Sequence, residues 1–219
     1  GFKVCPFKSM NLSSNAFVTD DGLQMAWAQA VQAFAAKIEP KVYMNPILLK
    51  PLGNYTSSVF YMGKELGKMS ANEYNNFKLT IKDKVKEIFE SIHSRYDIVV
   101  IEGAGSPAEI NLKKNDIVNM GMAKIANSNV ILVADIDRGG AFASIYGTYM
   151  LLDEDEKAKI KGIIINKFHG KISLLKDGIK ELERLINVPV IGVMPYVDLK
   201  IIDEDSLSMS MFRRKEFDK

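Results

Sequence analysis

Apolar residues along this chain fall into two alternating patterns. Uninterrupted apolar runs of four or five residues recur near 97–101, 130–134, 163–166 and 190–193. Elsewhere apolar residues return every three or four positions. They do so at Ile81, Val85, Ile88, Phe89 and Ile92, and again within 117–126, 141–152 and 174–186. The runs predict strands buried on both faces, and the spaced residues predict amphipathic helices. Alternation of the two predicts a parallel sheet covered by helices on both faces. Right-handed crossovers make that a three-layer, doubly wound α/β domain.

The first third is less regular. Residues 3–7 read as a short buried strand, and the Ser- and Asn-rich stretch 9–15 as a polar loop. Asp20, Asp21 and Gly22 precede a helical stripe of Leu23, Ala26, Trp27, Ala30, Val31 and Phe34. Residues 37–70 hold three prolines and three glycines, and read as a long irregular insertion. Beyond Tyr196 the chain turns polar. The expected organisation is one core over residues 1–202, with 203–219 as a linker or tail.

Composition removes several classes of function. At 219 residues and 47% hydrophobic content the chain can bury one domain core. Its 29 basic and 27 acidic residues leave a formal charge of +2, no basis for a nucleic-acid partner. Lys113-Lys114 and Arg213-Arg214-Lys215 are too short to change that. No apolar run approaches the roughly 20 residues of a membrane span, and the opening residues read as a strand entering a turn, not as a secretion signal. The one cysteine, Cys5, forms no internal disulfide, which fits a reducing cytoplasm. His93 and His169 lack a second ligand at zinc spacing.

In an open parallel sheet, ligands gather at the carboxyl ends of the strands. Glu102 follows a strand and precedes Gly103, where a phosphate or metal could approach the backbone closely. A carboxylate there can hold Mg²⁺ directly or through water, or simply cap the next element. Lys8 ends the first strand; it can neutralise a transferring phosphoryl group or remain a solvated loop lysine. Asp20 and Asp21 are read either as a helix N-cap or as a second Mg²⁺ contact. Asp135, Asp137 and Arg138 leave another strand before two glycines. Arg138 can clamp a carboxylate or phosphate in bidentate fashion, or pair internally to fix the loop. Asn166 and Lys167 end a third strand, where an amide can read an adenine edge or merely start a turn. The Ser and Asn side chains of 9–15 would suit a ligand rich in amides and carboxylates.

The segments PFKSMN (6–11), MNPILLKP (44–51), EGAGSPAEINL (102–112), DIVNM (116–120), DIDRGG (135–140) and INKF (165–168) resemble the cobyric acid synthase family, within the dethiobiotin synthetase-like group of P-loop proteins. The resemblance runs from about residue 3 to 206. It implies ATP-dependent amidation of the peripheral carboxylates of cobyrinic acid a,c-diamide in cobalamin biosynthesis, with ATP and Mg²⁺ as cofactors. The implied partners are the corrinoid substrate, a glutaminase domain of the same parent chain that supplies ammonia, and, without further specification, a second copy in a homodimer. The resemblance carries Mg²⁺ onto Glu102 and an adenine contact onto Asn166. Two departures stand out. No G-x-x-x-x-G-K-S/T loop is present; residues 63–69 come nearest but are one residue short and end in Met69. No glutaminase nucleophile is present either, since Cys5 lies in a strand. The expected fold is therefore the P-loop NTPase type lacking its first strand and phosphate loop, and inactive by itself. The rival expectations are a dethiobiotin synthetase-like ligase and a non-catalytic binding fragment.

Overall fold

The computed structural model describes residues 1–198. Within them the chain divides into two compact units, Gly1–Ala104 with Asn115–Met122, and Gly105–Lys114 with 123–198. The expected linker at 203–219 lies outside the described residues.

In chain order the first unit contains β1 (Val4–Phe7), β2 (Met10–Leu12), β3 (Ala16–Val18), β4 (Gln24–Ala26), α1 (Trp27–Ala35), β5 (Ile47–Gly53), β6 (Thr56–Tyr61), β7 (Lys64–Ser70), α2 (Ala71–His93) and β8 (Ile98–Ile101). Strands β1 and β8 pair in parallel, Val4 opposite Ile98 and Phe7 opposite Ile101. This register brings Lys8 and Glu102, the residues that follow, to the same end. Helix α2 buries Ile81, Val85, Phe89 and Ile92, the stripe its sequence predicts. Phe89 meets Phe7 edge-on at 5.6 Å. The helix starts sharply because Ser70 and Glu73 cap each other's backbone N–H groups.

Several expectations need correction here. Residues 37–70 are not an irregular insertion: β5, β6 and β7 form an antiparallel meander, and β2 adds to it in parallel beside β5. Both hairpin turns have two central residues in the left-handed region, Asn54-Tyr55 and Met62-Gly63. That is the turn whose twist suits tight hairpins, so the glycines and asparagine marked turns between strands. The stretch 9–15 is likewise not simply a loop, because Met10–Leu12 is β2 and Ser9, Asn11 and Ser13 are buried. Nor does the helix begin near Leu23. Residues Gln24–Ala26 are strand β4, paired antiparallel to β3, and α1 starts at Trp27. Asp20 and Asp21 therefore sit in a hairpin turn and do not cap a helix. Finally, the apolar runs are not all covered on both faces: Ile98 and Val100 of β8 are exposed, as are Ile131, Val133 and Ile191 in the runs near 130–134 and 190–193, and among the described residues β8 pairs only with β1.

Helix α3 (Met120–Ile125) begins in the first unit and ends in the second. The helix expected from 117 starts three residues later because Asp116 accepts the N–H groups of Val118, Asn119 and Gly121, holding a turn in front of it. The second unit continues with β9 (Val130–Asp135), α4 (Ala141–Leu151), α5 (Glu154–Lys157), β10 (Ile160–Phe168), α6 (Lys176–Ile186) and β11 (Val190–Pro195). Its three strands pair in parallel in the order β11-β10-β9. Ile163 and Ile165 of β10 are fully buried in the centre. Among the described residues no helix is long and apolar enough to cross a membrane.

Candidate functional site

In the first unit the carboxyl ends of β1 and β8 bring an ion pair together. The Lys8 ammonium lies 3.0 Å from Glu102 Oε1. Lys8 itself is only 5% exposed. Its backbone is fixed as well: Lys8 N–H donates to the Met44 carbonyl at 2.9 Å, and the Asn45 amide donates to the Lys8 carbonyl at 2.9 Å. Asn45 also donates to the Ile47 carbonyl and accepts the Ala26 N–H, so this one buried amide ties β1, β4 and β5 together.

The other carboxylate oxygen belongs to α1. Gln32 Nε2 donates to Glu102 Oε2 at 2.6 Å, and Gln29 Nε2 lies 3.4 Å from the same atom. Gln29 also donates to Gln32 Oε1 at 2.9 Å and is fully buried. Neither glutamine was singled out from sequence. The available signal was their placement: two amides three residues apart, within the apolar stripe that buries α1.

The loop after Glu102 is held from behind. Asn119 accepts the Ala104 N–H at 2.9 Å and donates to the Ala104 carbonyl at 2.7 Å. A Cβ on Gly103 would stand 2.3 Å from Asn119 Oδ1. Gly103 is thus required for the close approach of Asn119, which is a structural reason distinct from phosphate access.

A carboxylate offers about four lone-pair sites, and the three donors to Glu102 leave it about 37% exposed. One oxygen can still reach a cation directly or through water. No group of three or more His, Cys, Asp or Glu side chains that could enclose a metal occurs among the described residues. A single open carboxylate oxygen suits an ion that keeps most of its shell as water and phosphate oxygen, as Mg²⁺ does. Asp21 accepts from the Thr19 hydroxyl, and the charges of Asp20 and Asp21 act on Lys41. The Thr19 hydrogen bond holds the Asp21 carboxyl below the usual range.

In the second unit the carboxyl ends of β9 and β10 carry the remaining predicted residues. Lys167 Nζ pairs with Asp135 Oδ2 at 2.8 Å. That bond, with smaller help from the Asp137 N–H and the Arg138 charge, holds the Asp135 carboxyl low. Lys167 adopts a left-handed backbone, φ 59°, and its N–H donates to Asn166 Oδ1. The Asn166 side-chain oxygen is thus turned to its own chain. Asp137 meets His169 Nε2 at 3.1 Å, and the His169 ring stacks on Tyr196 at 4.4 Å between centroids. His169 is a third such residue: the sequence shows a lone histidine after a strand, without a second zinc ligand, and nothing that marks this contact. Arg138 is exposed, its charge near Asp135. Gly139 and Gly140 follow in left-handed conformations and lead into α4.

Parallel strands alternating with helices make this an α/β protein. Residues 66–200 match the family described as AAA domain, and the chain belongs to that family. It is similar to curated cobyric acid synthases. The match is 58% identical to that of Alkaliphilus metalliredigens over 95% of the chain, and 54% to that of Clostridium botulinum (strain Loch Maree / Type A3) over 94%. It is 55% identical to that of Listeria monocytogenes serotype 4b (strain CLIP80459) over 96%. The chain spans only 41–42% of the length of these relatives.

Proposed function

We propose that this chain is the synthetase portion of an enzyme that converts corrinoid side-chain carboxylates to amides, cobyrinic acid a,c-diamide to cobyric acid, in cobalamin biosynthesis. The observation that carries the reading is the buried Lys8 ammonium paired with Glu102 at the carboxyl ends of two adjacent parallel strands. The similarity to cobyric acid synthases supports it independently.

In this reading a substrate carboxylate oxygen attacks the terminal phosphorus of ATP, and ADP leaves. Ammonia then attacks the acyl carbon, inorganic phosphate leaves, and the nitrogen gives up a proton. Lys8 offsets charge on the transferring phosphoryl oxygens, a stabilisation that grows toward the transition state. Glu102 would hold Mg²⁺, directly or through water, with Gln29 and Gln32 fixing the orientation of its carboxylate. Bound Mg²⁺ supplies charge neutralisation of the phosphates. Asp20 or Asp21 would give the second contact to that ion. Arg138 holds a substrate carboxylate or a phosphate, Asp137 orients Arg138 or binds substrate, and Asn166 and Lys167 meet the adenine. The ammonia comes from glutamine, split by a glutaminase domain elsewhere in the parent protein. Residues 1–202 form the synthetase core, 203–219 lead toward that domain, and the parent works in the cytoplasm as a homodimer.

The finer fold assignment belongs to the same proposal: a three-layer doubly wound P-loop domain whose first strand and phosphate loop lie in the rest of the parent. Its support is the free edge of β8 with Ile98 and Val100 exposed, since strands of parallel sheets are normally covered on both faces. The test is turnover by the intact parent with glutamine, Mg·ATP and cobyrinic acid a,c-diamide. Stepwise amide formation is expected, falling about 100- to 1000-fold in Glu102→Gln. A folded parent that leaves the corrinoid unchanged, or amidates it equally well without Glu102, removes the reading.

A further inference from the structure

Helix α2 carries, near its N-terminal end, two donors for which the described residues provide no acceptor. The Tyr74 hydroxyl is sealed from solvent and makes no hydrogen bond. One turn on, the Lys78 ammonium lies 5.5 Å from the centre of the Tyr74 ring. Residues four apart share a helix face, so both donors belong to one surface. Burial holds Lys78 below the usual lysine range, and the Asp116 charge only partly reverses this.

Asp116 is the acid whose charge reaches Lys78, yet its oxygens are engaged elsewhere. Oδ1 accepts from the N–H groups of Val118 and Asn119, and Oδ2 from Gly121. The turn it holds presents Asn119, whose amide grips Ala104 just past Glu102. The Lys78 corner and the Glu102 loop are therefore joined through one short turn. Beside Tyr74 lies Phe77, at 6.4 Å between ring centres, with Tyr61 a further 6.5 Å on.

An unpaired buried hydroxyl and a half-buried ammonium both favour an acceptor. One oxyanion satisfies the two together, one oxygen to each donor. A single ammonium and a single hydroxyl match a carboxylate, with its one charge and two oxygens; a phosphate dianion calls for more donors. We propose that Tyr74 and Lys78 form a carboxylate-binding site, with the neighbouring rings accepting the apolar body that bears the carboxylate. The naming of that body as the corrinoid, held by one side chain while another reacts, rests on the amidation reading; the carboxylate site itself does not.

Two experiments separate the site from that reading. In the first, the Lys78 side chain of this chain is followed by NMR while butyrate or inorganic phosphate is added. A saturable butyrate response is expected, lost in Lys78→Met and weakened about 10-fold or more in Tyr74→Phe. No saturation, an unaltered response in Tyr74→Phe, or tighter binding of phosphate overturns the carboxylate site. Tyr74→Phe is also expected to melt at or above the temperature of the unsubstituted chain, because it removes an unpaired buried hydroxyl. A fall of more than about 4 °C would mean that the hydroxyl has a structural partner, and would likewise overturn the site. In the second, Lys78→Met in the intact parent is expected to raise KM for the corrinoid about 10-fold and leave KM for ATP unchanged. An unchanged corrinoid KM overturns the corrinoid as occupant. A parent with no corrinoid turnover defeats the amidation reading, while the butyrate result still decides the site.

Discussion

At the scale of single residues, Glu102 shows what a sequence makes legible and what it conceals. Lys8 and Glu102 could be picked out because each follows a short apolar run, where a parallel sheet presents its ligand-binding groups. Gln29 and Gln32 could not, because a polar residue in a helical stripe looks the same whether it meets solvent or a carboxylate. Their contact depends on α1 lying over the end of β8, which is a tertiary fact. Gln32→Leu removes the 2.6 Å donor while leaving the carboxylate itself in place. It is expected to cut turnover by the parent about 10-fold and to raise the Mg²⁺ concentration needed for half-maximal rate. A rate and Mg²⁺ dependence matching the unsubstituted protein would remove the positioning role. Cys5 gives a second test at this scale. Burial, opposed only weakly by the Arg95 charge, pushes its thiol up to about 11. A raised thiol value depletes the thiolate at neutral pH, and the thiolate is the reactive form. Native protein at pH 8 is expected to resist thiol reagents that label it at once in denaturant; rapid native labelling would contradict the burial.

At the scale of elements, the long apolar strands and α2 were readable because their periodicities are long and pure. The β5–β7 meander is not, since prolines and glycines interrupt its apolar pattern, while Gly53, Asn54 and Gly63 shape two tight hairpins. The short β3–β4 hairpin was hidden for a related reason: three-residue strands carry too little pattern to separate from the start of α1. Gly63 is the position on which the meander and that hairpin depend most. Its φ is +79°, and a Cβ there would stand 2.5 Å from that of Leu23. Gly63→Ala is expected to cost about 2–4 kcal/mol, read from the urea midpoint. A change below about 0.5 kcal/mol would show that the hairpin and turn relax freely. In the second unit, α5 anchors the segment that follows the EGAG loop. Glu156 is buried and receives Lys113 at 2.7 Å and Lys124 at 3.0 Å. Burial alone would raise its carboxyl, but the bonds from Lys113, the Asp153 N–H and Lys124 outweigh it and bring the value below the ordinary 4.5. A lowered folded value means that Glu156 stabilises above pH 4.5 and loses that contribution as pH falls through the folded value. Glu156→Ala leaves Lys113 paired with Asp153 and Lys124 paired with Asp155, so it is expected to cost about 1–2 kcal/mol at pH 7. The difference from the unsubstituted chain should shrink in acid; a constant difference down to pH 3 would contradict the linkage.

At the scale of the whole molecule, the question is which part of the chemistry these residues can perform alone. The chain supplies a lysine–glutamate pair, amides to orient it, and a second set of charged strand ends. It contains no G-x-x-x-x-G-K-S/T segment, and backbone N–H groups of such a loop are what cradle the β- and γ-phosphates in P-loop proteins. A single ammonium and a single carboxylate contribute far less binding than a full cradle, because each phosphate oxygen left unpaired in the site forfeits its water without replacement. Calorimetry with Mg·ATP is therefore expected to show no micromolar binding by this chain, and clear micromolar binding by the intact parent of which it would form about two fifths. The comparison is informative in both directions. Tight binding by this chain alone would place a complete nucleotide site within residues 1–219, and the free edge of β8 would then need an explanation other than a further strand. Weak binding by both would separate the chain from ATP chemistry altogether, leaving the carboxylate site on α2 as the activity to pursue.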